Sequence, residues 1–224
     1  AALLEAVIEM GDRARFDYLL ALDAAFEGGA LPNTPDEFLT VCGVAGLGKL
    51  AAEGDRAWLV DLRRCASDRR WRVREAAAIA LQHWGDRDMP ALIEEMGVWS
   101  QGGWLERRAV VAALAEPRLL RPASGSSDPA QAVLPLFDAI TRAVAFAPAA
   151  GRRDEGYGVL RQALGYGWSV LVAADPLACR PAFERWLTEA EAGGDKDLCW
   201  IARENLKKNR LIKLDPAWTA NWSA

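Results

Sequence analysis

RWRVREAAAIALQHWGD, residues 70–86, decides the fold. Val73, Ala76, Ala77, Ala80 and Trp84 recur three or four residues apart, so they share one face of an α-helix and read as a buried stripe. The neighbouring face carries Trp71, Arg74 and Glu75. The many alanines let a second helix approach closely, which favours stacked helix pairs over a loose bundle. Outward from this segment the same unit returns. DRAWLVDLRRC (55–65) precedes it, MPALIEEMGVW (89–99) follows it, and GWLERRAVVAAL (103–114) begins a second copy. Overlaid on their tryptophans, Trp71-x-x-Arg74-Glu75 and Trp104-x-x-Arg107-Arg108 lie 33 residues apart, and Trp200-x-x-Arg203-Glu204 makes a third. A helix-turn-helix repeated in this way is the signature of a solenoid, whose pairs bury their apolar faces only by stacking. No alternating run of β-branched residues is long enough for a sheet. The expected fold is therefore all-α, a right-handed α-α superhelix of antiparallel helix pairs.

Start and stop signals cut the chain into helices. Thr34, Pro35 and Glu37 resemble a capping box with proline at the first helical position, and Asp128-Pro129 and Asp175-Pro176 repeat the start signal. Gly54, Gly85 and Gly193-Gly194 follow helical stretches where a left-handed terminator is expected. Longer helices are predicted around 131–146 and 155–174. EPRLLRPASGSSDPAQ (116–131) interrupts the pattern, so a single domain over 1–224 is expected, with 117–129 as its possible internal boundary.

With 51% hydrophobic residues the chain can bury a core of its own. The longest charge-free stretch lies between Arg161 and Asp175, short of the roughly 18 apolar residues of a membrane helix. AALLEAVIEMGDR at the start lacks the zones of a signal peptide, so a cytoplasmic location and no membrane partner are expected. One histidine and four scattered cysteines, without a Cys-x-x-Cys pair, argue against a zinc site or a disulfide framework, and no metal or cofactor is expected. Net charge is −4, but its distribution is uneven: residues 1–55 hold ten acids and three bases, residues 56–121 nine acids and twelve bases. A second basic patch runs from Arg203 to Lys213.

VREAAAIALQHWGDRDMPALI (73–93) resembles the HEAT-repeat consensus, with Arg74 and Asp88 at its Arg and Asp positions. The resemblance is specific over about residues 55–120 and weaker over 175–213. GWLERRAVVAAL and LCWIARENLKKN (198–209) further resemble segments of the HEAT-like bacterial DNA-alkylation-repair glycosylases that carry an active-site Arg and an active-site Trp. These map to Arg107 and Trp200. The family places a Trp four residues before its catalytic Asp; here Trp71 precedes Glu75. The resemblance implies Glu75 as the catalytic carboxylate and Trp71, Arg74, Trp104, Arg107, Arg108, Trp200 and Arg203 as DNA-binding residues. Such a site is coherent: a carboxylate stabilises the oxocarbenium left by a departing base, tryptophan faces hold a cationic base, and arginine grips phosphate.

Other motifs are weaker. GVAGLGKL (43–50) has the spacing of a phosphate-binding loop, but Leu50 replaces the hydroxyl that would hold magnesium and EFLTVC (37–42) reads as helix, not strand. Its small residues suit close helix packing, and no nucleotide is expected. Cys65 and His83 fall on consecutive helices with nothing in the sequence to activate them. The ten tryptophans, among them Trp99, Trp168, Trp186, Trp218 and Trp222, are expected mainly in the core, with some at groove edges. Arg63, Arg64, Arg69, Arg70, Arg72 and Arg74, with Arg107 and Arg108 one repeat later, would form a stripe in a stacked solenoid. The leading expectation is a non-catalytic binding or scaffold module whose concave face takes a protein or nucleic-acid partner. The alternative is an alkylation-repair-like DNA N-glycosylase, or a non-catalytic DNA-binding relative of one, acting on duplex DNA.

Overall fold

The computed structural model describes residues 2–25, 29–54, 56–122 and 128–222. Among the described residues there are thirteen α-helices and no strand, and no helix is long and apolar enough to cross a membrane. The helices sort into two compact units, residues 1–92 and 93–224. The segment 117–129 falls inside the second, and its residues 123–127 lie outside the described residues.

The first unit comprises α1 (Ala2–Met10), α2 (Arg13–Ala24), α3 (Pro35–Ala52), α4 (Leu59–Ala66), α5 (Trp71–Arg87) and the start of α6 (Met89–Trp99). Its hub is α3, which packs against α1, α2, α4 and α5. Gly43, Val44, Ala45, Gly46, Leu47 and Gly48 are all buried in α3, so GVAGLGKL is a packing surface, as its small residues imply. A side chain at Gly46 would meet the Phe16 ring of α2, and one at Gly48 would meet the backbone of Ala80 in α5. The stripe Val73, Ala76, Ala77, Ala80 and Trp84 is buried as read.

The second unit holds the rest of α6, then α7 (Trp104–Leu114), α8 (Pro129–Ala145), α9 (Glu155–Ala174), α10 (Pro176–Gly193), α11 (Lys196–Leu206), α12 (Asn209–Leu214) and α13 (Pro216–Asn221). Its hub is α9, in contact with α7, α8, α10, α11 and α12. Aspartates start most of these helices: Asp128, Asp154, Asp175, Asp195 and Asp215 each accept a hydrogen bond from a first-turn N–H, satisfying donors that have no partner within the helix. In the first unit Thr34 caps α3 through the Glu37 N–H, but the Glu37 carboxylate reaches back to the Asn33 N–H at 2.6 Å, so the capping box is displaced by one residue.

Gly54 and Gly194 take positive φ (99° and 62°), as expected of helix terminators. Gly85 does not. It is buried inside α5, which continues to Arg87 and ends where the Asp88 N–H bonds to the Trp84 carbonyl at 2.9 Å. The Asp88 carboxylate then accepts from the Ala91 N–H at 3.0 Å, so one residue closes α5 and opens α6.

Asn205 locks α11 to α9. Fully buried, it donates to the Leu164 and Ile201 carbonyls (both 2.8 Å) and accepts from the Ser169 N–H at 2.8 Å. Replacing it with leucine strips partners from buried backbone groups, and Asn205→Asp turns a carboxylate toward two carbonyl oxygens. Each substitution is expected to lower stability by about 2–4 kcal/mol in urea unfolding; a loss below about 0.5 kcal/mol for both, within the ordinary surface range, would refute this role.

Candidate functional site

In the first two Trp-x-x-Arg units the tryptophan is the first residue of a helix, Trp71 of α5 and Trp104 of α7. The arginine one turn later reaches back to the preceding connection. Arg74 donates to the Asp68 and Arg69 carbonyls at 2.7 and 2.8 Å, and Arg107 donates from Nε to the Ser100 carbonyl at 2.9 Å. Both arginines thus pin a helix start to the turn before it. Burial lowers the Arg107 pKa, with the charge of Glu106 opposing. The third unit differs. Asp195 caps α11 five residues ahead of Trp200, so Trp200 sits mid-helix and Arg203 points from the last turn as an exposed side chain. The overlay of three tryptophans therefore joins two equivalent positions and one that is not.

Of the residues singled out from sequence, Trp71, Arg74 and Glu75 belong to the first unit, and Trp104, Arg107, Arg108, Trp200 and Arg203 to the second. Trp71 is 55% exposed, with the Arg72 guanidinium 4.5 Å from its ring centroid. Arg72 also binds the Asn33 side-chain oxygen and lies 3.6 Å from Glu37. Arg74 is buried and Glu75 half-buried. The basic stripe divides in the same way. Arg70 and Arg74 turn inward, Arg64 pairs with Asp61 at 2.9 Å, and Arg69 is exposed.

In the second unit Trp104, Arg107 and Trp200 join one connected cluster. The Trp104 ring meets Arg107 at 5.1 Å and Tyr157 edge-on at 5.3 Å. Tyr157 donates its hydroxyl to Asp197 at 2.7 Å, Arg161 donates to the other Asp197 oxygen at 2.9 Å, and Arg161 lies 4.4 Å from the Trp200 centroid. Arg152 completes the cluster, pairing with Asp197 at 2.9 Å and Asp195 at 2.7 Å. Burial raises the Tyr157 pKa, and its bond to Asp197 raises it further. Burial also pushes the Asp195 carboxyl up, but hydrogen bonds from Arg152 and the α11 N-terminus overcome this and hold it below its ordinary value. Both Asp197 oxygens are engaged, by three donors in all. The carboxylate serves as a clamp between α9 and α11.

No match is found among protein-family models, curated proteins or solved structures.

The remaining chemistry-bearing groups have structural surroundings. Burial pushes the Cys65 thiol up to about 12, the opposite of an activated nucleophile. His83 faces Glu5 at 3.6 Å. Among the described residues no group of three or more His, Cys, Asp or Glu side chains is placed to hold a metal ion. Sequence reasoning missed Tyr157, Arg161, Asp195 and Asp197. The only local signal was the Asp195 cap, because the partners of Asp197 lie 36 to 45 residues away.

Proposed function

We propose that this chain is a HEAT-like binding module, a superhelix of antiparallel helix pairs that recognises a protein partner without doing chemistry. The carrying observation is Trp71, more than half exposed at the start of α5 with Arg72 stacked on it, while Trp84, Trp99 and Trp168 are fully buried. An exposed tryptophan held by arginine is the kind of anchor that dominates protein interfaces. The unit that carries it has fifteen acids and eleven bases, a balance that disfavours a phosphate backbone and suits a protein. The equivalent roles of Arg74 and Arg107 at the starts of alternate helices, α5 and α7, support the repeat reading.

A second reading, the alkylation-repair-like glycosylase with Glu75 as its carboxylate, draws on the connection of Trp104, Arg107 and Trp200 in one cluster. Two measurements separate the readings. Alkylated duplex DNA is expected to release no methylated base with the wild type or with Glu75→Gln at equal salt. Release by the wild type that Glu75→Gln abolishes would replace the first reading with the second. A photo-crosslinking residue at position 71 is expected to trap one protein from cells, and the same residue at Leu177, which is 91% exposed, is expected not to trap it. Equal trapping from both positions would defeat the assignment.

A further inference from the structure

In the second unit a pocket of about 330 Å³ opens between the segment 117–122, the end of α9 and α12. Its walls are apolar: Pro117, Leu120, Pro122, Val170 and Ala173. Among the described residues its charged ones are Arg121 and Arg210, and no carboxylate lines it. Other pockets mix acids with their bases: Asp23 and Asp68 with Arg64 and Arg70 in one, Asp138 and Glu189 with Arg142 and Arg185 in another. Among the described residues neither Arg121 nor Arg210 pairs with a carboxylate, and the nearby Glu116 is engaged by Arg118 at 3.3 Å.

Arg210 is held in place without being neutralised. Its guanidinium lies 4.5 Å from the Tyr166 ring centroid, and Nη2 donates to the Tyr166 hydroxyl at 2.6 Å. The Tyr166 hydroxyl takes only one of the two Nη2–H groups, so one complete two-donor edge of the guanidinium remains for a two-oxygen anion, on a side chain whose freedom is already restricted. Lys208, with Nζ 5.9 Å from the same ring, adds positive potential. Two arginines that share an apolar recess without a counterion repel each other and favour an anion between them.

The geometry points to a binding site for a small organic anion, a carboxylate or phosphate monoester with a short apolar body, whose head Arg210 and Arg121 grip and whose tail the proline, leucine and valine walls cover. The volume is at the lower end of small-molecule pockets. The charge count of the pocket selects the head, and its walls select the tail.

Calorimetric titration of the full chain tests this with octanoate and octyl phosphate, beside the neutral octanamide and inorganic phosphate. One or both of the octyl anions are expected to bind saturably at one site, and the tighter of them identifies the head group. Octanamide and inorganic phosphate are each expected to bind at least tenfold more weakly. Arg210→Gln is expected to weaken the anion at least tenfold and Arg121→Gln several-fold, with Arg87→Gln, in the first unit, unchanged. Ala173→Leu fills the recess without altering charge and is expected to weaken binding at least tenfold, so a fold disturbed by Arg210→Gln does not decide the outcome. Equal binding of octanoate and octanamide, binding untouched by both Arg210→Gln and Ala173→Leu, or a duplex oligonucleotide that binds with the same dependence on Arg210 would each overturn the assignment.

Discussion

Gly48→Ala is expected to destabilise the first unit by about 3 kcal/mol, although alanine is the better helix former by about 1 kcal/mol. A Cβ on Gly48 would collide with the Ala80 carbonyl oxygen and lie 2.5 Å from the Ala80 Cα. These are backbone atoms of the neighbouring helix, and no rotamer change moves them aside. Relief requires α3 and α5 to separate, which opens gaps along the buried alanines of α5. Gly46 nearby would meet first the buried Phe16 ring, a side chain and not the backbone of a neighbouring helix, so Gly46→Ala is expected to cost less. Gly97→Ala supplies the opposite sign. Gly97 lies within α6 and a Cβ there meets nothing within 4 Å, so the change is expected to stabilise by about 0.5–1 kcal/mol. Thermal unfolding of the three variants checks the ordering. A Gly48→Ala midpoint equal to or above the wild type would remove backbone contact as the reason for the small residues in GVAGLGKL.

That pair of glycines also marks what a sequence of this kind discloses. The small residues of 43–48 were legible as packing because their period is helical and no strand precedes them. The bounds of α6 and α9 were legible because Asp, Pro and Gly act locally, on the first or last turn. Gly85 misled for the converse reason: a buried glycine serves packing, and the stop signal belongs to Asp88. Trp200 misled because a shared Trp-x-x-Arg spacing carries no information about where the helix begins, which Asp195 decides. The Asp197 cluster was not legible at all, since Tyr157, Arg152 and Arg161 meet it only through the tertiary fold. Likewise nothing local separates Arg70 from Arg69 and Arg72. One residue of displacement along a helix start sends one guanidinium into the core and leaves its neighbour in water.

Arg70→Met is expected to cost about 3–5 kcal/mol at neutral pH, the range for breaking a buried ion pair by removing one partner. The Arg70 side chain is 3% exposed, and every one of its N–H groups is used. Nη1 donates to Asp23 at 2.6 Å and to the Ala30 carbonyl at 3.2 Å; Nη2 donates to Asp23 at 3.0 Å and to Asp68 at 2.8 Å; Nε donates to Asp68 at 3.0 Å. Methionine fills much of the volume but leaves two part-buried carboxylates facing each other. Lysine keeps the charge without the fork, so Arg70→Lys is expected to recover only part of the loss. Burial alone would raise the Asp23 pKa, but hydrogen bonds from Arg70, the Ala30 N–H and the Thr40 hydroxyl, with the Arg70 charge, bring it down to about 2 from 3.8. A carboxyl whose folded pKa is depressed stabilises the fold above its unfolded pKa, and that contribution disappears as pH falls through the folded value. The wild type is therefore expected to lose this contribution between about pH 4 and pH 2. In Arg70→Met the part of the depression that Arg70 supplies is removed, while the Ala30 and Thr40 hydrogen bonds remain, so the stability gap between variant and wild type is expected to be widest above about pH 4 and to narrow below it. Denaturant unfolding at pH 7, 4 and 2.5 reads the gap directly. A gap that stays constant across that range would show that Arg70 acts by packing alone and that its two aspartates contribute nothing through charge.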